Sequence, residues 1–372
     1  MKTKKVGGLA GIIAGDSSIC LCSADDESLL YRGYSIEELA AEASFEEVAY
    51  LLLREKLPSV SELKEYQERL RSFRELPAGV KKILETIPAA TNEMDVLRTG
   101  CSALGNFEEE HLEDDPYDCA DRLIAAFPSI LLYWYHFHKT GKRLNLETAD
   151  TTTAGYFLHQ LHDHPAKDLF RRCLNTSLIL YAEHEFNAST FTVKTIASTL
   201  SDFYSCIAGG IGALRGPLHG GANEWAMMLI KRFESPDEAE AGILKMLENK
   251  ELIMGFGHRV YTTSDPRSKI IKEWAKELSF ESSKKHLFPI AERIEEVMWR
   301  EKNLFPNLDF YSALTYYYMG IHTPMFTPLF VISRITGWAA HLLEQRKNNK
   351  LIRPNSNYTG PEQRSWIPIT ER

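Results

Sequence analysis

The sequence predicts a mainly α fold of two helical domains, with a small β-hairpin region near its start. Three observations carry that expectation. Helix-start signals recur along the chain, apolar residues fall at helical spacing, and no alternating strand pattern or repeat interrupts them beyond the first few dozen residues. The length of 372 residues exceeds one compact core, so a large domain and a smaller one are expected.

Residues 8–33 carry short apolar runs broken by Gly15-Asp16-Ser17-Ser18 and Asp25-Asp26-Glu27-Ser28, which reads as a hairpin region. The lysines at the extreme N-terminus resemble the start of a signal segment. The apolar run behind them, residues 8–14, is short, ends at Gly15-Asp16 and lacks a cleavage pattern, so it reads as a strand. Helices follow. Ser35 with Glu38, Ser44 with Glu47 and Ser59 with Glu62 read as capping boxes, in which serine and glutamate satisfy amides at a helix start. The acidic run Glu108–Asp115 reads as a solvated loop. Phe127–Phe137 and Phe310–Tyr318 are apolar nearly all round, as core or subunit-interface helices are.

Ser235-Pro236-Asp237-Glu238 opens a helix with proline at its first position, and Ile243 and Leu247 then share a face. Ile271, Trp274 and Leu278 give the next helix its apolar stripe, behind Asp265 as N-cap and Pro266. Phe310 to Ser333 contains no charged residue and is long enough to span a bilayer. Gly320, His322, Pro324, Pro328 and the following Arg334 favour a buried helix, a break and a second buried helix.

With 44% hydrophobic and 25% charged residues, the composition is that of a soluble globular protein. The net charge of −8 argues against a nucleic-acid or anionic-membrane surface, yet leaves room for a local basic pocket. Six cysteines (Cys20, Cys22, Cys101, Cys119, Cys173, Cys206) are scattered without a Cys-x-x-Cys pair, which fits reduced thiols in a cytoplasm. Cys20 and Cys22 share a strand face, but two ligands do not make a zinc site.

His219 and His258 each lie in a glycine-rich stretch, Gly216-Pro-Leu-His-Gly-Gly221 and Gly255-Phe-Gly-His-Arg259. A neutral imidazole both donates and accepts a hydrogen bond, and glycine neighbours leave it reachable. His184 and Asn187 are three apart and share a helical face. Arg267, in the first turn of its helix, opposes the helix dipole and so hints at a bound anion. Arg334 interrupts an apolar run, where arginine is rarely unpaired; its partner is a buried carboxylate or a substrate carboxylate held bidentately. Asp309 precedes a long apolar helix and alone reads as an N-cap, with a catalytic role as the competing assignment. Arg353 alone reads as a surface residue. Taken together, the arginines suit a di- or tricarboxylate. The aspartate suits removal of a carbon-bound proton, and the histidines suit stabilising the oxygen charge that results.

Two other motifs fall short. Gly209–Gly216 has the wrong spacing for a dinucleotide loop and reads as helix packing. His159, His162 and His164, with His136 and His138, could ligate a metal, but they do not share one helical face and no carboxylate pattern supports them. No metal is therefore expected. A metallohydrolase on these histidines and a non-catalytic helical scaffold are the rival classes.

Segments 181–190, 216–224, 254–267 and 305–310, with Arg334 and Arg353 in order, resemble the citrate synthase family over nearly the whole chain. Within it, segments 98–105, 131–136 and 325–341 are similar to the 2-methylcitrate synthase branch, which uses propionyl-CoA. The resemblance implies condensation of propionyl-CoA with oxaloacetate and water to 2-methylcitrate and CoA, with acetyl-CoA as a secondary substrate; the alternative is a citrate synthase using mainly acetyl-CoA. It implies a citrate synthase-like fold, with a large domain of residues 1–220 and 321–372 and a small domain of 221–320 that closes over it. His219, His258 and Asp309 would be catalytic. His184, Arg267, Arg334 and Arg353 would bind oxaloacetate, Arg353 crossing from the other subunit of a homodimer. Leu252, Ile253, Met254, Gly255 and Phe256 would contact CoA, with Arg300 and Lys302 as weaker candidates for its phosphates. The glycines near His258 would let the chain lie along CoA, and those near His219 would give the thioester room to reach Asp309. No cofactor beyond the CoA thioester substrate, no nucleic acid and no membrane partner is implied, and the expected location is cytoplasmic.

Overall fold

A computed structural model of the protein describes Leu9, residues 11–111 and residues 115–372. Three short strands come first, β1 (Cys20–Cys22), β2 (Leu29–Tyr31) and β3 (Tyr34–Ser35). They form one antiparallel sheet in that order, with Leu21 opposite Leu30 and Tyr31 opposite Tyr34. The strand expected over 8–14 does not form among its described residues 11–14: Ile13 is 90% exposed, so its apolar side chain has no core to face. Residues 8 and 10 lie outside the described part.

The helices then follow in two groups. The first comprises α1 (Ile36–Glu42), α2 (Phe45–Arg54), α3 (Val60–Ser72), α4 (Ala78–Thr86), α5 (Glu93–Phe107), α6 (Asp118–Thr140), α7 (Thr153–His162), α8 (Asp168–Tyr181), α9 (Ala188–Ala197) and α10 (Phe203–Leu214). The second comprises α11 (Ala222–Ile230), α12 (Pro236–Glu248), α13 (Pro266–Glu281), α14 (Leu287–Lys302) and α15 (Leu308–Tyr318). A 3-10 turn at Thr323–Met325 leads into α16 (Phe326–Lys347), which returns to pack on α2, α6, α8, α9 and α10. The sequence is thus mainly α with a small N-terminal hairpin region, as expected.

Local chemistry explains the boundaries. Ser44 and Ser59 form full capping boxes with Glu47 and Glu62. Ser35 caps α1, but its carboxylate partner is Glu37 rather than Glu38. Ser235 accepts from the Glu238 amide, whereas the Glu238 carboxylate turns to the Glu234 amide at 2.8 Å. The acidic run after α5 is not simply solvated. Glu108 pairs with Arg122 at 2.6 Å, and Glu110 accepts from the Phe203 amide at 2.7 Å and holds Arg346. Residues 112–114 of that run lie outside the described part.

The all-round apolar segments lie in the core. In α6 every residue from Ala120 to Trp134 is buried, and in α16 every residue from Phe326 to Leu342. The charge-free stretch 310–333 is α15, a break at Gly320 (φ +75°), and the first turns of α16. Among the described residues no helix is long and apolar enough to cross a membrane. Gly209 and Gly210 serve helix packing: a Cβ on Gly210 would lie 2.7 Å from Val193 of α9. In the second group α13 and α11 lie on α15, and α12 lies on α14. Helices α1 and α8 of the first group touch α13 of the second, and α8 also touches α15, with Tyr181 at its C-terminal end reaching Asp309.

Candidate active site

Where α8 ends, residues 182–187 form a loop rather than a further helical turn, so His184 and Asn187 do not share a helical face. Asn187 instead caps α9, accepting from the Thr190 amide at 3.1 Å, and its Nδ2 donates to the His184 carbonyl at 3.4 Å. Tyr31 braces the loop: its hydroxyl donates to the Glu183 carbonyl at 2.9 Å and accepts from the Glu183 amide at 3.2 Å. Arg334 Nε donates to the Tyr181 carbonyl at 2.7 Å, and His341 Nε2 lies 2.8 Å from Glu183 Oε1.

His219 sits in the turn between α10 and α11. Its Nε2 accepts from the Ser189 amide at 3.2 Å. That amide can only donate, which puts the neutral ring's proton on Nδ1 and leaves Nδ1–H to donate elsewhere. Gly220 is required by the protein's own packing, because a Cβ there would run into the Leu214 carbonyl at the end of α10.

The segment 254–258 is stitched to the entry of α15. Asn307 N–H donates to the Gly255 carbonyl at 2.9 Å, and Gly257 N–H to the Phe305 carbonyl at 2.8 Å. Gly255 has φ +91°, and a Cβ there would press on Phe310 at 3.0 Å, so its glycine also serves the backbone. Of the CoA-contact candidates, Leu252 is 77% exposed, Ile253 and Gly255 are buried, and Met254 and Phe256 are half-buried. His258 Nδ1 accepts from the amides of Val260 (3.1 Å) and Tyr261 (3.3 Å), which assigns the ring proton to Nε2.

Asp265 caps α13 as expected and gathers several donors. It accepts from Arg267 N–H at 3.1 Å, from Arg267 Nε at 3.0 Å and Nη2 at 2.9 Å, and from the Leu308 amide at 3.1 Å. Arg267 therefore has a protein carboxylate already, while its Nη1 has no hydrogen-bond partner among the described residues. Arg334 is only 2% exposed, lies over the Phe330 ring at 4.6 Å and makes no ion pair among the described residues. Among the described residues no protein carboxylate fills the partner role expected for it.

Asp309 is not the N-cap of α15. Asn307 takes that place, accepting from the Asp309 amide at 3.1 Å. The Asp309 side chain instead accepts from the Tyr181 hydroxyl at 2.6 Å. Phe330 joins these groups, with its ring centre 4.8 Å from Tyr181 and 6.3 Å from His219. The other half of the cluster is aromatic: His184 lies 4.9 Å from His258, and Tyr261 stacks on His258 at 4.7 Å. Cys22 Sγ closes it, 3.3 Å from His184 Nε2 and 3.3 Å from the Tyr261 hydroxyl.

Burial and the two arginines set the protonation states. Desolvation, then the Arg334 charge, lowers His219 to about 4; desolvation, then Arg267, lowers His258 to about 4. His184 is pushed well below its ordinary value by burial, Arg267, His258 and Arg334. Burial raises Asp309, with the Tyr181 hydrogen bond and Arg267 opposing it. Burial, chiefly, pushes the Cys22 thiol up to about 11, so it stays protonated. Near pH 7 the site therefore holds neutral imidazoles and two buried arginines beside a carboxyl group that burial makes more basic, an arrangement suited to a dicarboxylate and to proton removal from carbon.

Sequence reasoning passed over Tyr181, Ser189, Tyr261, Cys22 and Asn307. Tyr181, Ser189, Tyr261 and Asn307 stand inside segments already singled out, whereas Cys22 stands out only as half of an insufficient zinc pair and nothing local ties it to His184. Arg353 is exposed on the extended segment after α16, its nearest partner being Asn355 at 3.4 Å, and within one chain it does not join the cluster. Arg300 spends its guanidinium on Glu301 (2.8 Å) and Glu240 (2.9 Å), and Lys302 is exposed. The other histidines have protein partners: His159 pairs with Asp150 at 2.6 Å, and His162 bonds the Met319 carbonyl at 2.9 Å and stacks on His164 at 5.8 Å. Among the described residues no group of three or more metal-ligating side chains converges.

This helical frame, with its buried carboxylate and imidazoles, defines a class of protein. The family model described as "Citrate synthase, C-terminal domain" matches residues 8–355, and the chain belongs to the citrate synthase family. It is 50% identical over 365 residues to the 2-methylcitrate synthase of Shewanella oneidensis, covering 98% of this chain and 97% of that one. It is 42% identical to citrate synthase 2 of Bacillus subtilis, covering 98% of both. A solved citrate synthase from Thermoplasma acidophilum, a ternary complex with carboxymethyl coenzyme A and oxaloacetate, superposes with a TM-score of 0.92 at 32% identity, covering 98% of each chain.

Proposed function

We propose that the protein condenses propionyl-CoA with oxaloacetate and water to give 2-methylcitrate and CoA, with acetyl-CoA as a secondary substrate. The observation that carries the chemistry is Asp309: a carboxylate raised by burial, oriented by Tyr181, and close enough to Arg267 and Arg334 to feel both charges. The name and 50% identity of the Shewanella relative support the propionyl branch. The Bacillus relative favours the second reading, in which acetyl-CoA is the main substrate.

Oxaloacetate binds first in this reading. Its carboxylates meet the free donors of Arg267 and Arg334, assisted by His184, and Arg353 arrives from a second copy of the chain. Asp309 then takes a proton from the α-carbon of the thioester. His219 donates its Nδ1–H to the thioester oxygen as the enol or enolate forms. The new carbanionic carbon attacks the oxaloacetate carbonyl carbon, while His258 Nε2–H stabilises the carbonyl oxygen that gains the electron pair. Hydrolysis of the acyl-CoA adduct releases CoA and the tricarboxylate.

Residues 221–320 act as the small domain that closes over 1–220 and 321–372, excluding water so that these hydrogen bonds strengthen. The backbone of residues 252–256 lies along CoA. No cofactor takes part, and the enzyme works in the cytoplasm as a homodimer. The test is CoA release from propionyl-CoA with and without oxaloacetate, with the product identified by mass. Oxaloacetate-dependent release with a 2-methylcitrate mass is expected; no dependence on oxaloacetate would contradict the proposal.

A further inference from the structure

The loop 182–187 and the segment 255–267 must be held in register, because together they carry His184, His258 and Arg267. Between them lie the ring contacts of His184 with His258 and Tyr261, at 4.9 and 5.6 Å, but no hydrogen bond joins the two segments directly among the described residues. Besides their separate anchors in α16 and at the entry of α15, both segments bond to one shared body, the N-terminal hairpin. Tyr31 on β2 holds Glu183 by both its amide and its carbonyl. Cys22 on β1 touches His184 on one side and Tyr261 on the other.

At the hairpin tip, Glu27 reaches the same region more strongly. Its Oε1 accepts from the amides of Thr263 (2.7 Å) and Ser264 (2.9 Å), and its Oε2 from the Ser264 hydroxyl at 2.6 Å. These residues stand immediately before Asp265 and Arg267. Three donors on one carboxylate is a strong, directional attachment. Glu27 adopts φ +54° to make it, a left-handed conformation costly for a side-chain-bearing residue.

We propose that the hairpin is a clamp that sets the two oxaloacetate-binding segments against each other, and that Glu27 is its positioning residue. Glu27 touches neither substrate nor reacting atoms; it acts by pre-ordering residues 263–267. This rests on the condensation reading above. Without the latch, oxaloacetate must itself order that segment, so its affinity falls. Once bound, its carboxylates restore the geometry, so turnover is kept.

The test compares Glu27→Ala, which removes the acceptor carboxylate, with wild type, and with Asp25→Ala, which removes a charge from the same turn without touching the latch. Glu27→Ala is expected to raise the oxaloacetate KM roughly tenfold, with kcat within about twofold and the acyl-CoA KM unchanged. Amide hydrogen exchange over residues 258–267 should speed up in the free variant, and Asp25→Ala should match wild type. An unchanged oxaloacetate KM, unchanged exchange over 258–267, or a parallel loss of kcat and thermal stability would each overturn the clamp. If wild-type protein condenses neither acyl-CoA, the functional reading fails instead. The exchange measurement then still decides the clamp.

Discussion

Asp309 shows how one residue's meaning depends on its neighbours. As a sequence position it looks like an N-cap, because aspartate before an apolar helix usually is one. Asn307 caps α15 instead, which frees the Asp309 carboxylate to meet Tyr181. Asp309→Asn should lower kcat roughly a thousandfold with folding intact, the scale of a lost general base, as measured by CoA release and circular dichroism. The pH profile follows from the same groups. Asp309 must be ionised and the imidazoles neutral, and both conditions hold above their respective values and fail as pH falls. Activity should therefore fall on the acid side. The Tyr181 hydrogen bond lowers Asp309, against burial and Asp265, which raise it, and alongside Arg267 and Arg334, which lower it. In Tyr181→Phe the Asp309 value rises, so the acid limb of kcat should move to higher pH. A limb that stays in place or moves down would remove Asp309 as the titrating base.

At the scale of elements, the helices were legible because capping and apolar period are local. Ser44, Ser59 and Asp265 cap where their neighbours require it, and the buried runs of α6 and α16 are visible as charge-free stretches. The histidines, arginines and aspartate of the site were legible as residue types in order. Their contacts were not, since Cys22 meets His184, and Glu27 meets Thr263 and Ser264, across distances in sequence that no local pattern encodes. The loop at 182–187 was misread as helix for a similar reason: it is held open by Tyr31, Arg334 and His341, all from other elements.

Helix α16 controls that loop through Gly337. A Cβ there would run into the Glu183 carboxylate and sit 2.5 Å from the Ala182 carbonyl. Gly337→Ala should therefore cost about 2 kcal/mol by overpacking, seen as a lowered denaturant midpoint. It should also raise the oxaloacetate KM by displacing His184. A variant as stable as wild type would show that the loop does not depend on this close approach.

Across the whole molecule, Arg353 poses the question of assembly, because within one chain it lies apart from the cluster it would complete. Co-expressing Asp309→Asn with Arg353→Ala distinguishes the arrangements. If Arg353 crosses to the other subunit, each mixed dimer holds one site with both residues intact, so a statistical mixture should recover about a quarter of wild-type activity. If Arg353 serves its own chain, no activity returns.

Acyl-chain preference also belongs to this scale, since it depends on how far the closed enzyme discriminates one methylene. That is worth about 1–3 kcal/mol, so acetyl-CoA should remain a measurable substrate. The most direct measurement is competition: equimolar propionyl-CoA and acetyl-CoA with saturating oxaloacetate, the two tricarboxylates quantified by mass at low conversion. Their ratio is the ratio of kcat/KM values. An excess of 2-methylcitrate over citrate is predicted, and an excess of citrate would contradict the assignment.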